Sequence, residues 1–348
     1  MKEKYAFIYV NADSKIGSGH FWRCVSIANE LSKHDIKILF IYSSLFPALL
    51  QTLKQNNYSA YEIEDVLPNY FIQMINDENR DYNSLLIIDS DNTFFYEKNF
   101  QTEIIDSGIR LMIISVNPDF HYYAHVLLNQ NIIACYQKYS VENYTRALLG
   151  PEYFIYTPQF RKLGIQPVKQ LGKKIFVSFG SADPCHYTLQ LVELILRTKS
   201  LSQFNFHVIV GVLNQDYEKI KELLELNSYK VQLYYNIANV STIMLLCNLA
   251  ICSPGLMYWE LALMGVRSIL FSSSSREKPI ADFLHYKEFA CTFHHYDQVF
   301  DETKFELFQN LLLNVNDTYF NNFSLLRNKI NSEGVTKISG EIDSLLCN

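Results

Sequence analysis

Residues 5–42 read YAFIYVNADSKIGSGHFWRCVSIANELSKHDIKILFIY, with an apolar run at each end. Both runs are rich in β-branched and aromatic residues, which is typical of buried strands. Between them, residues 20–33 place Val25, Ala28 and Leu31 on one face at helical spacing. Two parallel strands need such a crossover helix to connect them. The stretch therefore predicts a βαβ unit.

The same alternation of apolar runs and helix-like segments continues in two series. Residues 156–172 separate the series and hold two prolines and several charged residues, as expected of an interdomain connection. We predict an α/β fold of two Rossmann-like domains facing each other across a cleft, at residues 1–158 and 159–348. The second domain ends in a helical tail, and one tail helix could cross back onto the first domain. The predicted strands are 5–10, 36–42, 84–89 and 110–115 in the first series, and 174–178, 206–210, 231–235, 249–252 and 266–271 in the second.

Composition and charge exclude several classes of protein. The chain has 348 residues, a formal net charge of -6 and no run of Lys or Arg, whereas nucleic-acid binding needs clustered cations. No apolar run is long enough to cross a bilayer, and no signal-like segment begins the sequence. Seven cysteines without a C-x-x-C pair suit a reducing compartment. We therefore expect a cytoplasmic protein without a transmembrane segment, disulfides, a metal site or a nucleic-acid partner.

Loops that follow parallel strands are where ligands bind in open α/β sheets. The loop Gly17-Ser18-Gly19-His20 comes after the first predicted strand and opens a helix. Glycines let backbone N–H groups approach an anion there, and the helix start favours negative charge. His20 is placed to act as a general base. The alternative is a glycine turn followed by a solvent-facing histidine.

Two further loops lie in the second series. Gly180 and Ser181 could hold a phosphate or a nucleobase edge, and Asp183 with Pro184 at the first helical position could simply cap a helix. The loop with Ser253 and Gly255 precedes a helix that carries an acid. That acid, Glu260, could accept hydrogen bonds from ribose hydroxyls or be an ordinary surface residue.

A fourth loop, Asp89-Ser90-Asp91-Asn92, ends an apolar strand with acids close to the expected cleft. Solvated turn residues are the competing interpretation. The paired histidines at 121 and 125, and at 294 and 295, lack a carboxylate or thiol at ligand spacing. They are interpreted as surface or partly buried residues rather than metal ligands.

Taken in order, these loops resemble the family of UDP-2,4-diacetamido-2,4,6-trideoxy-β-L-altropyranose hydrolases, which act in pseudaminic acid biosynthesis and share the GT-B fold with the MurG type of glycosyltransferase. The resemblance covers most of the chain. It implies that His20 is central to cleaving an anomeric C–O bond with water, and that the loops around Gly180 and Gly255 hold uridine diphosphate. The segments that carry it are Gly17 to His20 with Arg23, Leu127 to Asn131, Leu148 to Tyr153, Val177 to Gly180 with Asp183 and Pro184, and Trp259 to Leu261 with Gly265.

The sequence departs from that family at several positions. Leu256 and Met257 stand where the family has hydroxyl-bearing phosphate ligands, and Asp91 replaces an expected tyrosine. Ser275-Arg276-Glu277 replaces a Glu-Asn-Gln stretch, and Arg276 could clamp a phosphate in a bidentate manner. An acid-rich segment is replaced by residues 117–121.

The first hypothesis is an inverting hydrolase of a nucleotide-activated amino-deoxy sugar in bacterial surface-glycan biosynthesis, without a cofactor. Water attacks the anomeric carbon with help from His20, and Arg276 stabilises the departing charge. The alternative is a GT-B glycosyltransferase that uses a UDP- or CMP-sugar donor and a glycan acceptor, and a third hypothesis is a catalytically silent binder. The predicted catalytic residues are His20, Asp91 and Arg276. The predicted binding residues are Gly17, Ser18, Gly19, Arg23, Asn131, Gly180, Ser181, Ser253, Gly255, Leu256, Glu260 and Glu277.

Overall fold

The structure is a computed structural model that describes residues 3–12, 18–64, 66–78, 83–227 and 230–347. The chain divides into two compact units. The first comprises Met1–Pro158 together with Asn331–Asn348, and the second comprises Gln159–Ile330.

The first unit is built on a seven-stranded parallel sheet with strand order β3-β2-β1-β4-β5-β7-β9, and a small two-stranded sheet pairs β6 with β8. Its strands are β1 (Lys4–Val10), β2 (Ile36–Tyr42), β3 (Ser59–Glu62), β4 (Asn83–Asp89), β5 (Arg110–Ile114), β6 (His121–Tyr122), β7 (Val126–Asn129), β8 (Ser140–Val141) and β9 (Arg146–Leu149). Its first helices are α1 (Gly19–Leu31), α2 (Pro47–Gln55), α3 (Pro68–Glu78) and α4 (Lys98–Asp106).

The predicted strands of this unit are confirmed to within one residue at either end. Their apolar runs are nearly continuous because a parallel sheet is covered on both faces. In β1, Ala6 and Ile8 are buried in a core cluster with residues of α1, whereas Phe7 and Tyr9 are buried in a second cluster on the opposite face. The strands that the sequence did not predict are short, and β3 is largely exposed.

The second unit repeats the architecture with a six-stranded parallel sheet, in the order β12-β11-β10-β13-β14-β15. The five predicted strands are present, and β15 adds an edge strand that was not predicted. The strands are β10 (Lys174–Ser178), β11 (Asn205–Val210), β12 (Val231–Tyr235), β13 (Leu249–Cys252), β14 (Arg267–Ser272) and β15 (Cys291–His295). The helices are α5 (Pro158–Leu163), α6 (Tyr187–Arg197), α7 (Tyr217–Asn227), α8 (Val240–Leu246), α9 (Leu256–Leu263), α10 (Glu277–Tyr286), α11 (Glu302–Asn314) and α12 (Phe323–Arg327).

The last helix, α13 (Gly334–Cys347), packs in the first unit. Val335, Ile338, Ile342 and Leu346 are buried in the same core cluster as the apolar face of α1. Gly334 lies so close to the backbone of residues 153 and 154 that an added Cβ would be 2.3 Å from a carbonyl oxygen. Helix α13 is thus a tail helix that crosses back onto the first domain, as the sequence analysis allowed, and the predicted second domain ends before it rather than at residue 348.

Among the described residues, no helix has both the length and the apolar character needed to span a membrane.

We expect Ile338→Ala to lower the free energy of unfolding by about 2–5 kcal/mol, because Ile338 is fully buried in the core cluster of the first unit and its truncation leaves a cavity. Urea unfolding followed by circular dichroism measures the change. Gly340→Ala on the exposed face of the same helix has open space for its methyl group. That control is expected to stabilise by about 0.5–1 kcal/mol. Equal effects of the two substitutions would contradict the packing of α13 described above.

Candidate functional site

Both sheets reverse their strand order beside their first strand, between β1 and β4 in one unit and between β10 and β13 in the other. At such a switch point the loops that leave the two strands diverge, which opens a crevice at the carboxyl end of the sheet. The loop after β1 leads to His20 on α1, and β4 ends at Asp89. The switch point of the first unit therefore brings together residues that lie 69 positions apart.

The centre of the first site is the carboxylate of Asp89, which is 1% exposed. His20 Nδ1 lies 2.6 Å from Asp89 Oδ1. Arg23 donates to the same carboxylate from Nε, at 2.7 Å to Oδ2, and from Nη2, at 2.6 Å to Oδ1. His20 and Arg23 lie three residues apart on α1 and therefore share a helix face. One turn of helix thus supplies both partners of a buried acid.

These contacts keep Asp89 ionised. Burial alone would raise the pKa of its carboxyl, but the charges of Arg23 and His20, together with their hydrogen bonds, hold that pKa well below its usual range. The thiol of Cys24 also approaches, with Sγ 3.6 Å from Asp89 Oδ2, and burial raises the pKa of that thiol. Asp89 is therefore a fixed negative charge beside an imidazole.

The other nitrogen of the imidazole faces the carboxylate of Asp91. His20 Nε2 lies 3.5 Å from Asp91 Oδ2, and both side chains are 22% exposed. In a neutral ring whose Nδ1–H donates to Asp89, Nε2 carries the lone pair and can accept a proton. This arrangement suits a general base that is oriented by a carboxylate. The alternative of a histidine that simply faces solvent is wrong.

The sequence analysis did not select Asp89. It grouped this acid with the turn residues that follow, although the available signal was an acid at the end of an uninterrupted apolar strand. Arg23 was predicted to bind substrate, and the structure instead directs its Nε and Nη2 to Asp89. Arg23 is therefore better described as a residue that positions the acid.

The remaining predicted residues of the first unit lie around this centre or beyond it. Gly17 lies outside the described residues. Ser18 is the N-cap residue of α1 without a side-chain cap hydrogen bond, and Gly19 is the first helical residue. Asn131 follows β7, two strands from β4 in the sheet, and its backbone N–H donates to the side chain of Asn129.

In the second unit the loop after β10 begins at Gly180, whose φ of +85° favours glycine. Ser181 packs against the backbone after β11, since a Cβ added to Gly211 would lie 2.4 Å from Ser181 Cα. Asp183 is buried and accepts hydrogen bonds from the backbone N–H groups of Tyr187 and Thr188. The prediction that Pro184 begins the helix is wrong, because α6 begins at Tyr187; Asp183 still satisfies N–H groups of its first turn.

The loops after β13 and β14 meet in the same unit. Gly255 is the N-cap residue of α9, and Leu256 is the first residue of that helix. A Cβ added to Gly255 would lie 3.5 Å from Glu277 Oε1 and 3.9 Å from Ser253 Oγ. Glu277 Oε2 accepts a hydrogen bond of 2.7 Å from the N–H of Ser273. Burial raises the pKa of the Glu277 carboxyl to about 7, against the lowering effect of that hydrogen bond.

Glu260 and Arg276 complete the predicted residues of the second unit. Glu260 lies on α9 and is half-buried, and burial raises the pKa of its carboxyl to about 8. A protonated carboxyl can donate as well as accept a hydrogen bond. Arg276 is exposed and immediately precedes α10. Three or more His, Cys, Asp or Glu side chains do not converge as a metal site anywhere in the described ranges.

Known proteins resemble this chain in sequence and in fold. No family model matches the sequence. An uncharacterized protein of Methanocaldococcus jannaschii, MJ1062, is 24% identical over 285 residues, which is 79% of this chain and 57% of that protein. The chain thus spans little more than half the length of this curated relative.

Solved structures resemble the whole chain. MurG of Acinetobacter baumannii has a TM-score of 0.63 at 13% identity, with 98% of this chain and 99% of that chain covered. UGT2 of Phytolacca americana, complexed with UDP-2-fluoro-glucose and pterostilbene, has a TM-score of 0.65 at 14% identity, with 99% and 100% covered. The fold is GT-B. The α/β fold predicted from the sequence is thereby confirmed.

We expect Arg23→Met to lower the free energy of unfolding by about 3–5 kcal/mol at pH 7, because it leaves the buried Asp89 carboxylate short of its main counter-charge. The folded-state pKa of Asp89 lies below its ordinary value of 3.8, so its pairing stabilises fully above that pH and is lost as the pH falls further. The difference between the wild type and the variant should therefore shrink below about pH 4. Urea unfolding at pH 7 and below pH 4 measures both effects.

Arg197→Met is the matched control, since it removes an exposed bidentate pair with Glu302. Such a surface pair contributes about 1 kcal/mol or less. A loss as small for Arg23→Met as for Arg197→Met would contradict the role assigned to Arg23.

Proposed function

We propose that this protein is an inverting glycosyltransferase that takes a nucleotide-sugar donor and uses His20 as its general base. The observation that carries the proposal is the geometry of His20, whose Nδ1 is held by the buried Asp89 while its side chain remains 22% exposed. It lies at the switch point of a Rossmann-like sheet, where ligands bind in this class of fold. The full-length likeness to GT-B structures, one of them complexed with UDP-2-fluoro-glucose and pterostilbene, supports the same reaction class.

The proposed reaction is a single displacement at the anomeric carbon. Nε2 of His20 takes the proton of an acceptor hydroxyl as the oxygen forms its bond to that carbon. The bond from the carbon to the phosphate oxygen breaks, and the phosphate leaves with the electron pair. Asp89 stabilises the imidazolium that forms, as the acid does in related catalytic arrangements. Arg23 fixes Asp89 through two hydrogen bonds.

The loops of the second unit are proposed to bind the donor nucleotide. Gly180 and Gly255 provide backbone that a phosphate can approach, and Ser253 adds a hydroxyl. Glu260 is the proposed partner of the ribose hydroxyls. Arg276, exposed before α10, is proposed to stabilise the departing phosphate charge.

Hydrolysis of the nucleotide sugar is the second candidate. The close approach of Asp91 Oδ2 to His20 Nε2 favours it, because a carboxylate and an imidazole 3.5 Å apart can together orient a water molecule. The resemblance of the sequence segments to hydrolases of pseudaminic acid biosynthesis supports the same reaction on an amino-deoxy sugar. In this case water replaces the acceptor hydroxyl and every other role is unchanged.

We expect His20→Asn to lower turnover by about 10²–10⁴-fold, because the amide cannot accept the proton. The assay follows nucleotide release from UDP- and CMP-linked amino sugars, with and without a glycan acceptor. Release that requires an acceptor supports transfer, and equal release without one supports hydrolysis.

His121→Asn is the matched control. His121 also lies between a hydroxyl and a carboxylate, those of Ser140 and Glu142, but it belongs to the small two-stranded sheet and its side chain is 36% exposed. Its replacement should leave turnover unchanged. Full activity of His20→Asn would refute the proposed base.

A further inference from the structure

Three loops of the second unit converge on the carboxyl of Glu277. Its Oε2 accepts the Ser273 N–H of the loop after β14, and its Oε1 faces Gly255 in the loop after β13. The loop after β10 contacts the loop after β14, since Cys185 Sγ lies 3.5 Å from the carbonyl oxygen of Ser273, and Cys185 interacts electrostatically with Glu277. All three loops leave the carboxyl ends of neighbouring parallel strands. The Glu277 carboxyl is thus held at the edge of the sheet where a ligand would bind.

Two hydroxyls beside this carboxyl are available to a ligand. Ser253 is 6% exposed, its Oγ lies 3.9 Å from the position of a Cβ on Gly255, and no hydrogen bond of its side chain is found within the described part of the chain. Ser273 Oγ is buried and likewise has no partner among the described residues. Buried hydroxyls are normally hydrogen-bonded. Both groups therefore point to a polar ligand that supplies the missing partner.

The start of α9 adds an electrostatic preference for an anion. The first N–H groups of a helix have no partner within the helix, and Gly255 provides no side-chain cap. The next two residues, Leu256 and Met257, bring neither hydroxyl nor charge. The charged group that the structure places beside the N-cap residue is the carboxyl of Glu277.

We propose that Glu277 determines the specificity of this phosphate site by placing a carboxylate where one negative charge of a nucleoside diphosphate would lie. The inference rests on the proposed function, since it concerns the donor nucleotide. A pyrophosphate diester carries two negative charges, and a nucleoside monophosphate ester carries one. The site therefore favours the singly charged phosphodiester, of the kind found in nucleoside monophosphate-linked sugars, and admits a diphosphate only when Glu277 is protonated.

The titratable groups that interact with Glu277 do not change charge near neutral pH, whereas Glu277 does. Cys185, Tyr187 and Cys252 interact with it electrostatically, and burial raises the pKa of each. All three are therefore neutral between pH 6 and pH 8. On its own helix, Lys278 is paired with Asp297.

Two other charged or titratable groups belong to adjoining segments. Arg276 precedes Glu277 and is exposed. Glu260 on α9 has a pKa raised by burial to about 8, so its titration has to be separated from that of Glu277 by mutation.

The test is calorimetric titration of the full chain with two uridine probes of constant charge, UDP-glucose and the methyl ester of UMP, and with their cytidine counterparts. Since the pKa of Glu277 lies near 7, a carboxylate that excludes the diphosphate weakens UDP-glucose binding about tenfold from pH 6 to pH 8. The UMP ester should lose less affinity over the same range. Glu277→Gln should bind UDP-glucose about tenfold more tightly than the wild type at pH 8, and the pH dependence that remains in this variant is assigned to Glu260.

Glu302→Gln removes the same charge from an exposed pair with Arg197 and should retain the wild-type profile. Thermal unfolding of each variant verifies that it is folded. If Glu277→Gln leaves both the affinity for UDP-glucose and its pH dependence unchanged, the specificity role is overturned while nucleotide binding stands. If neither the wild type nor any variant binds a nucleotide at either pH, the proposed function fails and this inference fails with it.

Discussion

The ion-paired carboxylate of Asp89 is the constraint on which the first unit's site depends. An ionised acid in a low-dielectric interior is expensive unless opposite charges and hydrogen-bond donors surround it. Arg23 and His20 provide both, and they do so from one turn of one helix. The same contacts that stabilise the acid also orient the ring of His20.

This arrangement also explains why the start of α1 has little freedom. The helix must present His20 and Arg23 to the end of β4 while its apolar side chains remain in the core. Cys24, Ile27 and Leu31 fulfil the second requirement, since all three are fully buried. Helix α13 covers part of the same core cluster. The first unit is therefore completed by residues from the far end of the chain.

The second unit uses carboxyl groups differently. Glu260 and Glu277 have no salt-bridge partner among the described residues, and burial raises the pKa of both towards neutrality. Asp89 is held ionised by its counter-charges, whereas these two acids are held close to the point at which they lose their charge. A buried carboxyl without a cation favours its protonated form. The pKa of the buried acid is thus lowered in the first unit by its counter-charges, and the pKa values of the two acids in the second unit are raised by burial.

Much of the fold could be predicted because a strand that is buried on both faces of a parallel sheet is a nearly continuous apolar run in the sequence. The runs at 5–10, 36–42 and 84–89 are nearly continuous apolar segments, and the periodicity of α1 is equally direct. The sequence analysis placed the tail in the second domain and allowed one of its helices to cross back onto the first, but it did not identify which helix. The apolar face of α13 shows that the helix is covered on one side, but not by which unit.

The sequence by itself determined nine of the strands, helix α1 and the division near residue 158, and it selected His20 as a candidate base. Only the tertiary structure decided that Asp89 is the partner of His20, that Arg23 serves this acid, and that Glu277 stands beside Gly255. The physical reason is that the periodicity of a helix or strand depends on residues that are neighbours in sequence. The contacts named here join residues that are far apart in sequence. Which acid meets which base is set by strand order, and strand order leaves no periodic signal in the chain.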